Sequence, residues 1–146
     1  MSTLTFGLAY VAYVLLCADV VLHARGRPKR ALTVGLAAVL VAHVALVWGW
    51  RFGWSPSAAL AKGVAGFVVF HAAFAAIVLA AVAPEPWSGR LLYASLPVAS
   101  MGAIGAALRY DYVRGLRVPL IVALAVTVIL LARTFTGPRP RPSTGP

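Results

Sequence analysis

Residues 31–83 read ALTVGLAAVLVAHVALVWGWRFGWSPSAALAKGVAGFVVFHAAFAAIVLAAVA, two apolar runs on either side of the turn Trp48-Gly-Trp-Arg-Phe-Gly-Trp54. About 20 apolar residues in helical form cross a hydrocarbon layer about 30 Å thick, so each run is long enough for one passage and the pair reads as a membrane hairpin. In lipid the main chain must satisfy its own hydrogen bonds, and within a single segment only a helix does so. Each run carries one histidine near its middle, His43 and His71.

The rest of the 146-residue chain repeats the pattern: 62% of residues are hydrophobic, 11% are charged, and the mean hydropathy is +0.91. These values lie far from those of soluble domains. The fold class expected is an all-α polytopic membrane bundle occupying residues 1–135. Its five helices fall at about residues 4–23, 31–50, 56–83, 91–108 and 118–133, and residues 136–146 form a disordered Pro/Arg tail. The alternative is four crossings with 91–108 as a re-entrant segment. Ser55-Pro56 supplies a start signal for the third helix, and Pro84-Glu-Pro86 stops it. The fourth segment is rich in small residues, Ser95, Ala99, Ser100, Gly102 and Ala103 among them, and is expected to be the packing hub, bent at Pro97.

The net charge of +10 arises from 13 basic residues against Asp19, Glu85 and Asp111. In a soluble protein this balance would point to nucleic acid; here the basic residues sit between apolar runs, where topology and anionic lipid head groups account for them, so no nucleic-acid partner is expected. Arg25-Gly-Arg-Pro-Lys-Arg30 is the expected contact for anionic head groups. With five crossings and the N-terminus outside, eight basic residues fall on the inner side and five on the outer. This favours a cytoplasmic C-terminus, and the four-crossing alternative gives the same count. Eleven arginines against two lysines, with abundant Ala, Gly and Pro, hint at a GC-rich bacterial genome, and the location expected is a bacterial inner membrane.

Cys17 is the single cysteine, which rules out an internal disulfide and a cysteine metal cluster. No metalloprotease, nucleophile-elbow or phosphate-loop motif occurs, so hydrolase, protease and nucleotide-driven chemistry have no visible support. Trp48, Trp50, Phe52 and Trp54 read as an interfacial aromatic belt, joined by Tyr110 and Tyr112. Asp111 has Arg109 and Arg114 as expected partners. Asp19 and His23, four apart on one helix face, form a proton or ion-pair candidate; the simpler expectation for Asp19 is to snorkel to the interface.

At about 1.5 Å per residue, His43 and His71 lie about 10 and 14 Å inside the outer ends of their segments, a matched depth. They serve as interhelical hydrogen-bond donors, as axial ligands to a haem b, or as part of a proton or substrate pathway with Asp19. Gly63 and Phe67 share the face of His71, and Gly35 and Val39 that of His43, a pattern that suits a flat macrocycle. Against the haem stands the spacing of packed helices, about 8–10 Å, which leaves no room for a porphyrin unless the bundle opens. The functional expectation is therefore a small membrane protein acting as an accessory or structural subunit, associating with other membrane subunits or with itself. The alternatives are a haem-b electron-transfer or cytochrome-assembly protein using His43 and His71, and a small transporter moving at Pro97.

Overall fold

A computed structural model describes residues 2–136. They form α1 (Ser2–Ala24), α2 (Arg30–Phe52), α3 (Pro56–Leu60), α4 (Val64–Ala80), α5 (Trp87–Arg109), a 3-10 turn (Asp111–Leu116) and α6 (Arg117–Thr136), with no strand among the described residues. Four stretches are long and apolar enough to cross a membrane: Leu4–Ala24, Arg30–Phe52, Trp87–Arg109 and Val113–Thr136. The apolar helix Val64–Ala80 is shorter.

That shorter helix corrects the expected single segment over 56–83. Ser55 caps α3 by accepting the Ala58 N–H at 3.3 Å, with Pro56 in the first turn, but the helix stops after Leu60. Gly63 sits at φ 129°, a conformation that side-chain-bearing residues avoid, and the helix restarts at Val64. The break at residues 61–63 leaves Lys62 exposed. α2 runs past the expected end at residue 50, through Phe52, before Gly53 turns at φ 55° and Trp54 N–H returns to the Trp48 carbonyl at 3.0 Å. Other boundaries move by smaller steps. α5 begins at Trp87 and passes through Pro97 as one helix, and α6 continues through Thr136. Residues 137–146 of the expected tail lie outside the described residues.

Two helices, not one, are central. α5 packs on α4, α1 and α6, and α1 packs on α2, α5 and α6. The stripe Ala12, Leu16 and Val20 of α1 meets Leu36, Ile77, Ala80 and Leu92 in the main core, while Tyr13 and Cys17 meet Ala107 and Leu120 behind it. Lipid is as apolar as leucine, so such a core is held by close packing and interhelical hydrogen bonds more than by water exclusion. The small residues of α5 serve both. A Cβ on Gly102 would come 2.5 Å from the Phe70 ring, so only glycine admits that ring. Ser100 gives its one hydrogen to the Leu96 carbonyl at 2.8 Å, which makes Tyr13 the donor in the buried 3.0 Å bond between the two hydroxyls.

The helix ends interlock in two tiers. At one end, called here the basic end, Arg30 of α2 donates to the Ala83 carbonyl at 2.6 Å just beyond α4, and Ser88 of α5 to the Ala80 carbonyl at 2.9 Å. At the other, the aromatic end, Arg51 of α2 donates to the Tyr110 hydroxyl at 3.3 Å beyond α5, and Phe6 of α1 meets the Tyr110 ring edge-on at 5.8 Å. Asp111 is paired with Arg117 at 3.7 Å, not with the expected Arg109 or Arg114, because the 3-10 turn swings it toward the start of α6.

The Arg51 bond, with further positive charge from Arg109 and Lys62, holds the Tyr110 phenol below the ordinary tyrosine range against the opposing effect of burial. A lowered folded-state value means that this tie adds stability above the ordinary tyrosine range and loses it as the pH falls through the lowered value. In a tyrosinate absorbance titration, Tyr110→Phe is accordingly expected to remove a phenol that titrates below the ordinary tyrosine range, and Arg51→Gln to return that phenol to the ordinary range. A titration curve unchanged by both substitutions would contradict the pairing.

Candidate functional site

Of the two histidines in the hairpin, His43 reaches from α2 to α1, where its Nδ1 lies 2.9 Å from the Thr5 carbonyl oxygen. A carbonyl only accepts, so Nδ1 carries the hydrogen and Nε2 of the neutral ring is left as an acceptor. His71 repeats the arrangement within its own helix, Nδ1 donating to the Phe67 carbonyl at 2.7 Å. Its Nε2 accepts from the Trp48 indole at 3.2 Å. Phe67 stacks on the His71 ring at 4.0 Å and Trp48 meets it edge-on at 5.7 Å. The two imidazoles thus share one tautomer, fixed in each case by a main-chain oxygen. They do not bond to each other.

They border one cavity of about 390 Å³ between α2 and the α3–α4 segment. α2 and α4 touch over a shorter length than α1 and α2 or α4 and α5, and this leaves the gap. Gly63 and Gly66 lower one wall, Phe67, Phe70 and Phe74 supply flat faces, and Arg51 and Lys62 stand on its lining as cations at the aromatic end. His43, Phe70, Phe74 and Arg51 also line a second, partly open cavity of about 450 Å³ bordered by α1, α2, α4, α5, the 3-10 turn and α6. His43 therefore stands in the partition between two adjoining spaces, and its Nε2 has no hydrogen-bond partner among the described residues.

Trp48 departs from the expected belt. Trp50 and Trp54 are exposed, as an interfacial anchor requires, but Trp48 turns inward onto Phe52, Phe67 and His71. Spacing along α2 separates Trp48 from the exposed tryptophans by about two hundred degrees of helix for Trp50, enough to have marked it as facing elsewhere.

At the basic end the structure brings Asp19 and His23 together and adds a third residue. Asp19 is fully buried, with Thr33 of α2 and Glu85 of the loop before α5 set near its carboxyl, which corrects the expectation of snorkelling. His23 Nδ1 donates to the Asp19 main-chain carbonyl at 2.9 Å and stands 3.2 Å from its carboxyl Oδ1. On the other side of the ring Nε2 lies 3.0 Å from Glu85 Oε1, on the half-exposed loop before α5. Gly89 presses on the ring; a Cβ there would come 3.2 Å from the His23 Cδ2. Glu85 is the residue sequence reasoning missed. Its signal was its isolation, one acid in the loops of the basic end.

Among the described residues no three of His, Cys, Asp and Glu converge as a metal site. Asp19 and the cavities are kept apart by Leu16, Leu36 and Ile77, which are buried and form the floor of the larger cavity. The chain matches no family model, no curated protein and no solved structure.

Proposed function

We propose that the chain is a five-crossing integral protein of a bacterial inner membrane that binds haem b between His43 and His71. The observation that carries this reading is a pair of imidazoles lining one cavity, each with Nδ1 donating to a main-chain carbonyl and so with Nε2 left as an acceptor, free of other partners at His43 and taken by the Trp48 indole at His71. A metal-ligating histidine characteristically gives its other ring hydrogen to a carbonyl or carboxylate, which sets the tautomer and orients the ring. Glycines and phenylalanines on the cavity walls suit a flat macrocycle, and Arg51 and Lys62 suit its two carboxylates at the membrane surface. Against the objection from helix spacing, the reading is supported by the looser seam between α2 and α4 and the cavity beside it. When bound through two imidazoles, a haem supplies one-electron transfer. His71 would exchange the Trp48 indole for the iron.

Five crossings are supported by the interlocked ends: His23 with Glu85 and Arg30 with Ala83 at one end, Trp48 with His71 and Arg51 with Tyr110 at the other. At 17 residues α4 spans about 25 Å, near the hydrocarbon thickness. The basic loop at 25–30 then lies on the cytoplasmic side with the C-terminus, facing anionic head groups. An accessory or self-associating subunit has less to rest on, since Gly89, Ser95, Ser100 and Gly102 spend their small faces on His23, Ala73, Tyr13 and Phe70 inside the chain.

Titration of the purified protein in lipid nanodiscs with ferric haem b is expected to give a Soret band that saturates at one equivalent with a low-spin spectrum. A spectrum indistinguishable from haem in empty nanodiscs would refute the assignment.

A further inference from the structure

The chain contains three acidic side chains, and two of them, Asp19 and Glu85, meet on opposite edges of the His23 ring. The hydrogen content of that contact follows from elementary bonding. His23 Nδ1 faces the Asp19 main-chain carbonyl at 2.9 Å, an atom that only accepts, so Nδ1 bears a hydrogen. In a neutral ring Nε2 would then be a lone pair, and a lone pair does not sit 3.0 Å from a carboxylate oxygen. A hydrogen must lie between them, on the ring as imidazolium or on Glu85 as carboxylic acid. The contact therefore holds one proton more than a neutral imidazole and an ionised Glu85 would.

Asp19 is where that proton has most to gain. The residue is fully buried, and neither carboxyl oxygen has a well-aligned hydrogen bond: His23 Nδ1, 3.2 Å from Oδ1, points its hydrogen to the main-chain carbonyl, and Thr33 lies beside the carboxyl. A buried, unsatisfied carboxylate is among the costliest groups a membrane bundle can hold. The groups set around it are few: His23 on its own helix, buried Thr33 and Arg30 from α2, Glu85 from the α4–α5 loop, and Tyr93 of α5 near Glu85. Arg30 spends its guanidinium on the Ala83 and Ala80 carbonyls. Toward the other side, Leu16, Leu36 and Ile77 close the route to the cavities.

We propose that Glu85, His23 and Asp19 form a proton relay that opens only to the basic end and loads a carboxyl sealed inside the bundle. Water at the basic end protonates Glu85. The Glu85 O–H bond breaks as an N–H bond forms at His23 Nε2, and the His23 Nδ1–H bond breaks as an O–H bond forms at Asp19 Oδ1. The ring ends neutral with its hydrogen on Nε2 and with Nδ1 turned from the main-chain carbonyl to accept the new Asp19 O–H, 3.2 Å away; Glu85 ends ionised and Asp19 ends neutral. Unloading is the same path reversed, so the site binds and releases one proton on one side of the membrane. The relay does not depend on haem.

With three acidic side chains, infrared spectroscopy can assign each carboxyl. Full-length protein in nanodiscs, labelled with carboxyl-13C aspartate, is expected to show an isotope-shifted carboxylic acid band at the high frequency of a C=O without hydrogen bonds. That band should survive Asp111→Asn and vanish in Asp19→Asn. On transfer to D2O it should exchange rapidly in the natural sequence, and about tenfold or more slowly in His23→Phe and in Glu85→Gln. Glu85 is half exposed, so Glu85→Gln tests the route without disturbing a packed ring, even if His23→Phe fails to fold. Absence of an Asp19 acid band from alkaline to mildly acid pH would overturn the proposal, as would an exchange rate unchanged by Glu85→Gln.

Discussion

His43→Ala is expected to abolish low-spin haem ligation while leaving the bundle folded. The side chain makes one hydrogen bond, to the Thr5 carbonyl, and lines open space on its other edge. Interhelical hydrogen bonds in membrane proteins are worth about 0.6 kcal/mol on average, so the structural loss is small. The ligand loss is large. Removing an outer-shell partner already costs a metal site about 10–100-fold in affinity, and removing a residue that would hold the iron directly should cost more and change the haem spectrum. His71→Ala should do the same to the spectrum with a greater penalty to the fold, because it also strips the Phe67 stack and leaves the Trp48 indole without its acceptor.

Trp48→Phe supplies the contrast within the same experiment. It keeps an aromatic ring beside Phe52 and Phe67 but frees His71 Nε2 from its donor. A neutral hydrogen bond contributes about 0.5–1.5 kcal/mol net, so haem affinity should rise by up to about tenfold. Equal haem spectra across His43→Ala, His71→Ala and the natural sequence would remove the cavity as a haem site.

Hydropathy made the four long spans legible because lipid leaves an apolar segment no alternative to the helix. The division of the third segment was less so. Lys62 reads equally as a snorkelling side chain in a continuous helix, and the φ of 129° at Gly63 is a tertiary outcome that the letter G permits without announcing. The histidines show a similar limit. Counting residues along α2 and α4 sets a depth, but the partners that fix the tautomers, Thr5 and Trp48, are chosen by how α1 and α2 turn about their axes. One helix considered alone sends Asp19 snorkelling to the interface; Thr33 of α2 and Glu85 of the loop before α5, set beside it in the fold, belong to other segments. Its link to Glu85 crosses 62 residues of sequence, and no periodicity within a segment reports a contact of that range.

Asp19→Leu is expected to stabilise the bundle by about 1–3 kcal/mol, the cost of a buried polar group left without hydrogen bonds. The sign is the informative part. Breaking a buried ion pair by deleting one partner ordinarily destabilises by about 3–5 kcal/mol, because the surviving charge is stranded. His23 is not stranded here. Its Nδ1 hydrogen stays on the main-chain carbonyl of residue 19, which the substitution leaves in place, and its Nε2 keeps Glu85 at 3.0 Å. What disappears is a buried carboxyl whose nearest polar group, His23 Nδ1 at 3.2 Å, already gives its hydrogen to the main-chain carbonyl, replaced by a side chain that suits neighbours such as Leu16 and Val20. Reversible unfolding in mixed detergent micelles, followed by helical signal, measures the change directly. A residue retained for proton exchange costs stability where it sits, so its removal should raise the unfolding midpoint while erasing the buried acid band; a fall of several kcal/mol would instead make Asp19 part of the scaffold.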